Sequence, residues 1–144
     1  MSCVFTTSIQ IRFAHCDPAG IVFYPRYFEL INGVVEDWCG QGLGMSFHEM
    51  HMAQGIGLPT VHLETDFVKT SILGDILTAE LRVIKLGRAS ATVEIQMLGA
   101  ERDLRLKAQL VLVMAHVKER KAIALPPALR EQMQRYLVTL CASE

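Results

Sequence analysis

Along this chain hydrophobic residues recur first at every second position, then at helical spacing, then at every second position again. From Phe5 to Phe13, the residues Phe5, Ile9, Ile11 and Phe13 share one face of an extended chain, while Thr6, Ser8, Gln10 and Arg12 share the other. A period of two marks a half-buried strand, and the tetrapeptide Asp17-Pro18-Ala19-Gly20 ends it as a turn. From Pro25 the period becomes helical. Tyr27, Phe28, Leu30, Ile31, Val34, Val35 and Trp38 cover more than half the circumference, with Pro25 in the first turn and Gly40 as the stop. An apolar surface that broad predicts a helix enclosed by other elements. The stretch from Gln41 to Gly57 predicts at most a short helix.

Four further strands follow. Val61, Leu63 and Phe67 alternate with His62, Glu64 and Asp66; Leu77, Ala79, Leu81 and Val83 alternate with Thr78, Glu80 and Arg82. Ala91, Val93, Ile95 and Met97 alternate with polar neighbours. Leu104 to His116 begins by alternating and turns apolar on both faces from Leu110, as a covered strand does. Leu86-Gly87-Arg88 and Gly99 to Asp103 read as hairpin turns. A closing helix starts at Pro126-Pro127 and aligns Leu129, Met133, Tyr136, Leu137 and Leu140. The order predicts an α+β fold: a curved antiparallel sheet of five strands wrapped around one long helix, as a single domain over residues 1–144.

Composition narrows the partners. The 144 residues are 51% hydrophobic and 20% charged with a formal net charge of −1, a globular balance with no general attraction to nucleic acid or anionic membrane. An anionic ligand must then be met by a local group of Lys and Arg. Mean hydropathy of +0.28 is high for a chain of this size, and buried subunit interfaces are the simplest outlet, so a homo-oligomer is expected. No basic segment leads into an apolar run at the N-terminus, and no stretch reaches the ~20 apolar residues of a membrane helix. Cys3, Cys16, Cys39 and Cys141 have no metal or redox spacing. A cytoplasmic protein with reduced thiols, no metal and no cofactor is expected.

Packing logic fails at one place. Asp17 stands in a Gly/Pro turn, and the following Ile21-Val22-Phe23-Tyr24 is too apolar for a solvated loop before a buried helix begins. A helix N-terminus offers unpaired N–H groups and partial positive charge, which can hold a thioester carbonyl and the oxyanion that grows on it. A carboxylate beside it can attack the carbonyl or deprotonate a water. Spacing alone leaves this open beside the plainer reading that an Asp-Pro turn is simply a turn.

The segment Asp17-Pro18-Ala19-Gly20-Ile21-Val22-Phe23-Tyr24-Pro25-Arg26-Tyr27-Phe28 resembles the signature of the 4-hydroxybenzoyl-CoA thioesterase family of hotdog-fold proteins, across about a dozen positions. The element order agrees over nearly the whole chain, and Lys121 to Pro126 is similar to that family's ending. The resemblance implies hydrolysis of an acyl- or aroyl-CoA thioester to free acid and CoA without metal or prosthetic group. Asp17 would be nucleophile or general base, and the backbone N–H of Tyr24 the oxyanion donor. Gly20, Ile21, Val22 and Phe23 would contact substrate, and Arg88 with Ser90, at a hairpin, would hold CoA. It further implies a tetramer built as a dimer of dimers, with sites between subunits. Related acyl-CoA thioesterases of the cell-envelope Tol-Pal system carry Tyr-His where this chain has Tyr24-Pro25, which leans toward the aroyl branch.

Other candidates read more plainly. Glu29 and Glu36 on the long helix match the position of the catalytic Glu in another hotdog branch, but with Asp17 present they read as surface or interface charges. His62 with Glu64 reads as a surface or interface pair, and His48 with His51 lacks a third metal ligand. Cys16 and His15 are adjacent in an extended chain, point to opposite faces and make a poor dyad. Arg102, Lys118, Arg120 and Lys121 are weaker phosphate candidates than Arg88. Two other functions remain on this reading: a hotdog hydratase or dehydratase of acyl thioesters, which needs a His with an acid, and a non-catalytic acyl-CoA-binding subunit.

Overall fold

The computed structural model describes residues 4–141, with side chains to residue 139; Cys3 and the Leu140 and Cys141 side chains lie outside it. Strand β1 (Phe5–Gln10) leads to helix α1 (Tyr24–Asp37), which widens into a π-helical stretch, Trp38–Gly42. A second such stretch, Glu49–Gln54, precedes β2 (Ile56–Gly57) and β3 (Thr60–Phe67). Then come β4 (Ile76–Leu86), β5 (Ser90–Leu98), β6 (Leu104–Val113), β7 (Ala115–His116) and β8 (Lys121–Ala122), and finally α2 (Pro127–Gln134) and α3 (Val138–Cys141).

Five strands form one antiparallel sheet in the order β1-β4-β5-β6-β3, and β2, β7 and β8 form a small second sheet. Register brings the alternating apolar residues into rows. Phe5 lies opposite Leu81, Leu81 opposite Ile95, Ile95 opposite Ala108 and Ala108 opposite Thr65. Because side chains alternate between faces, these rows make one dry sheet surface. The buried stripe of α1 (Tyr27, Ile31, Val34, Val35, with Trp38 just beyond) joins it in a single core cluster. The outward face is laced with ion pairs, among them Arg82 with Glu80 and Glu94.

The five-strand sheet and long helix stand as the pattern predicts, and four details differ. β1 ends at Gln10, and Phe13 lies in a 3-10 turn (Phe13–His15), 83% exposed instead of buried. The helix is buried along one stripe only: Phe28 is at the surface and packs edge-on to Phe67. The strand expected from Leu104 to His116 is interrupted at Met114, and its end enters the small sheet. The closing helix splits after Gln134, because Tyr136 O accepts the Val83 N–H at 2.9 Å, where β4 has run past the end of β1. Trp38 packs edge-on against Tyr136 and anchors this corner. Among the described residues no helix is long and apolar enough to cross a membrane.

Candidate active site

Between β1 and α1 the chain makes a small hairpin. Cys16 bridges Val22, the Asp17 N–H donates to Ile21 O at 3.0 Å, and the Phe23 N–H donates to His15 O at 2.9 Å. The turn closes with the Gly20 N–H on Asp17 O at 2.9 Å. Gly20 has φ of +80°, a conformation that a Cβ disfavours. Asp17 Oδ1 accepts the Ala19 N–H at 2.8 Å, an Asx turn that fixes the side chain. Among the described residues Oδ2 has no partner. Asp17 is half-buried and lines a cleft of about 420 Å³ with Phe13, Cys16, Pro18, Gly20 and Leu73.

The hairpin's second arm runs directly into α1. Phe23 is the N-cap and supplies no side-chain cap; Tyr24 and Pro25 are the first helical residues. Pro25 has no N–H, and the Arg26 N–H donates to Phe23 O at 2.8 Å. The Tyr24 N–H is then a first-turn donor with no acceptor among the described residues, at the positive end of the helix dipole. Around it lies an apolar surface: Phe23 and Tyr24 are exposed, and Phe67 is ringed edge-on or tilted by Tyr24, Tyr27 and Phe28.

Of the residues singled out in the sequence, Asp17 and Gly20 meet in this cleft, Val22 is buried in the hairpin, Ile21 is half-buried, and Phe23 and Tyr24 stand at the helix start. Arg88 and Ser90 are elsewhere. Their hairpin, closed by the Gly87 N–H on Ser90 O at 2.8 Å and braced by Arg130 Nη1 on Gly87 O, follows the far end of β4. The residue before β4, Asp75, is hydrogen bonded to Ile11 beside the Asp17 hairpin, so roughly 30 Å of strand separates the two places.

The plainer readings also have a place in the structure. Glu29 pairs with Arg26, and His62 with Glu64 at 3.0 Å, all exposed. Arg102 pairs with Glu80. Lys118 and Arg120 line separate grooves that contain His51 and His116. His15 Nδ1 accepts the Arg12 N–H and Cys16 Sγ donates to Arg12 O, so the two side chains do not act on each other. Cys39 is buried, and that burial, followed by the charge of Glu36, pushes its thiol up to about 12. No group of three or more His, Cys, Asp or Glu among the described residues is arranged to hold a metal ion. Periodicity read Phe13 and Phe67 as strand-face residues and not as parts of a site, and it did not single out Leu73 at all. The one signal for Leu73 is an apolar pair, Ile72-Leu73, inside a polar loop.

The fold has counterparts among known proteins. The thioesterase-like superfamily matches residues 11–133. A 1,4-dihydroxy-2-naphthoyl-CoA hydrolase of Acaryochloris marina is 25% identical over 90% of this chain and 96% of its own. A 4-hydroxybenzoyl-CoA thioesterase of a Pseudomonas species is 32% identical over 59% of this chain and 61% of its own. The crystal structure of a 1,4-dihydroxy-2-naphthoyl-CoA thioesterase from Synechocystis superposes with a TM-score of 0.82 at 24% identity, covering 91% of this chain and 96% of that one. With the sheet, the long helix and the Asp17 hairpin already in place, the match over residues 11–133 settles the family: the chain belongs to the thioesterase-like superfamily and has its hotdog fold.

Proposed function

We propose that this chain, an acyl-CoA thioesterase, hydrolyses an aroyl-CoA ester to the free acid and CoA at Asp17. The carrying observation is that, among the described residues, Oδ2 of Asp17 has no partner in an apolar cleft, on a hairpin that continues into a Tyr24 N–H likewise without an acceptor. The thioester oxygen accepts the Tyr24 N–H, which stabilises the negative charge developing on it. As nucleophile, Oδ2 bonds to the carbonyl carbon, the C–S bond breaks, CoA leaves as thiolate, and water hydrolyses the acyl-aspartyl anhydride. As general base, Asp17 takes a proton from the water that attacks. The apolar cleft and the exposed aromatic surface favour a flat ring over a charged acyl group. The relatives in the comparison are named for aromatic esters, which favours the same class. A hydratase needs a His beside the acid, and the cleft lining has none.

In this reading the working unit is a cytoplasmic homo-oligomer of single-domain chains, a tetramer formed as a dimer of dimers. β3 is an edge of the sheet, and an unpaired edge strand is a template for a second copy. Phe67 at its end is half-exposed among Tyr24 and Phe28. CoA phosphates would be met by Arg88 and Ser90 of another copy, since their own hairpin lies at the far end of β4 from Asp17.

The test is a panel of benzoyl-, hydroxybenzoyl- and medium-chain acyl-CoA esters, followed with a thiol reagent, for wild type and Asp17→Asn. Aroyl esters turned over by wild type and spared by the variant are expected; undiminished turnover by Asp17→Asn overturns the assignment. A single turnover in heavy-oxygen water then separates the mechanisms, because label entering Asp17 first marks direct attack.

A further inference from the structure

The hairpin that carries Asp17 leans on another segment. The Val22 N–H donates to Ser71 O at 3.0 Å, the Leu73 N–H donates to Gly20 O at 3.1 Å, and Ile21 and Ile72 form an antiparallel bridge. Ser71, Ile72 and Leu73 lie between β3 and β4, outside either strand. Their position is set from β6. Arg105 Nη1 donates to Asp75 Oδ2 at 2.9 Å, Ser71 Oγ at 3.1 Å and Thr70 O at 3.2 Å, and its Nε donates to Asp103 Oδ2 at 2.6 Å. Asp75 Oδ2 also accepts the Ile72 N–H at 3.0 Å, and Arg105 O accepts the N–H groups of Val68 and Lys69.

The place for this guanidinium is built into the fold. The Arg105 side chain is 13% exposed, and Ser71 is fully buried. Gly99 leaves the room: a Cβ there would stand 2.5 Å from Arg105 Nη2 and 2.5 Å from Asp103 Oδ1. A planar guanidinium can hold several acceptors in fixed directions, which a lysine ammonium cannot reproduce. The acceptors come from both ends of the segment that backs the hairpin, so the segment has little freedom to shift.

We propose that Arg105, oriented by Asp75 and Asp103, is a positioning residue for thioester hydrolysis. Through Ser71, Ile72 and Leu73 it fixes the hairpin on which the Asp17 carboxylate and the Tyr24 N–H are carried. The inference rests on the assignment of Asp17 above. A misplacement of about 1 Å in reacting groups can cost on the order of 100-fold in rate, so the effect belongs in kcat. CoA affinity is set elsewhere.

The test uses full-length Arg105→Gln, assayed on an aroyl-CoA ester at a temperature where circular dichroism shows it folded. Expected is a fall in kcat of roughly 10- to 100-fold with KM changed less than about threefold. Arg105→Lys should recover part of the loss. Gly99→Ala, which displaces the guanidinium without altering a charge, should lower kcat in the same way. Combined with Asp17→Asn, Arg105→Gln should cost less than it does alone, because the part of its effect that runs through Asp17 is already lost and only the part through the Tyr24 N–H remains. Amide exchange at Val22 and Leu73 should quicken while that of β4 and β5 stays slow.

A folded Arg105→Gln with kcat within about threefold of wild type, or losses that add fully to those of Asp17→Asn, overturns the proposal. Should Arg105→Gln fail to fold, Asp75→Asn takes its place under the same criteria. If Asp17→Asn is itself fully active, the functional reading falls; if only the Arg105 and Asp75 variants are fully active, the positioning role alone falls.

Discussion

The Ala19 N–H donates to Asp17 Oδ1 at 2.8 Å, and this bond leaves the two oxygens of Asp17 with different tasks. One holds the turn, and the other has no hydrogen-bond partner among the described residues. An Asn in its place keeps an oxygen for the turn and loses the basic one. Asp17→Asn should therefore retain the wild-type melting temperature while kcat falls by about 10²- to 10⁴-fold. Paired calorimetry and turnover measurements check this, and equal losses of stability and rate would contradict it.

Gly20→Ala separates conformational cost from crowding. Nothing lies within 4 Å of a Cβ built at Gly20, yet its φ is +80°. The substitution should cost about 1–2 kcal/mol for the left-handed conformation alone. Since Gly20 O also anchors the Leu73 N–H, kcat should fall along with the denaturation midpoint. An unchanged midpoint would show that the turn relaxes freely.

Acid should weaken the Arg105 cluster in a defined direction. Hydrogen bonds from Arg105 and then Lys69 hold the Asp103 carboxyl down at about 2, and the Ile72 N–H followed by Arg105 hold Asp75 below the ordinary carboxylate range. A lowered folded-state pKa contributes stability that is present above the unfolded value and lost as pH falls through the folded one. Melting temperatures of wild type should thus drop from about pH 4 toward pH 2. The drop should be smaller in Arg105→Gln, which lacks the cation that lowers both groups. Parallel curves for the two proteins would rule this cause out.

Between the two cysteines whose side chains are described, thiol chemistry should be one-sided. Cys16 lines the cleft and is half-exposed, whereas Cys39 is buried with its thiol pushed up to about 12. The thiolate is the reactive form. Iodoacetamide at pH 8 should mark Cys16 and spare Cys39, with turnover falling in step and a bound aroyl-CoA slowing the reaction. Peptide mass mapping reads the outcome, and labelling of Cys39 at a comparable rate would contradict the burial argument.

Sharing of sites between copies has its own signature. Asp17→Asn and Arg88→Ala subunits, each impaired alone, should regain activity when unfolded and refolded together. A mixed oligomer then contains some sites with one intact Asp17 and one intact Arg88 from different copies. Activity of the mixture no greater than the sum of its parts would place both residues in one chain's site, or remove Arg88 from it.

What the sequence determined by itself was local. The alternation in Leu77 to Val83 and in Ala91 to Met97 specifies buried strand faces because side-chain direction in a strand follows position parity. The turn at Asp17 to Gly20 and the helix start at Tyr24-Pro25 are equally local, since dihedral preferences and missing N–H groups act within a few residues. Phe13 shows the limit: its parity fitted the strand, but β1 had already ended, and Phe13 became part of the cleft wall. Tertiary structure alone decided the rest. It placed Leu73 opposite Gly20, brought Phe67 under Tyr24, sent Arg88 to the far end of β4, and set Arg105 against Ser71 and Asp75, 34 and 30 positions away. Such contacts depend on strand register and on space such as Gly99 leaves, and register is a property of the whole sheet that no short window of sequence contains.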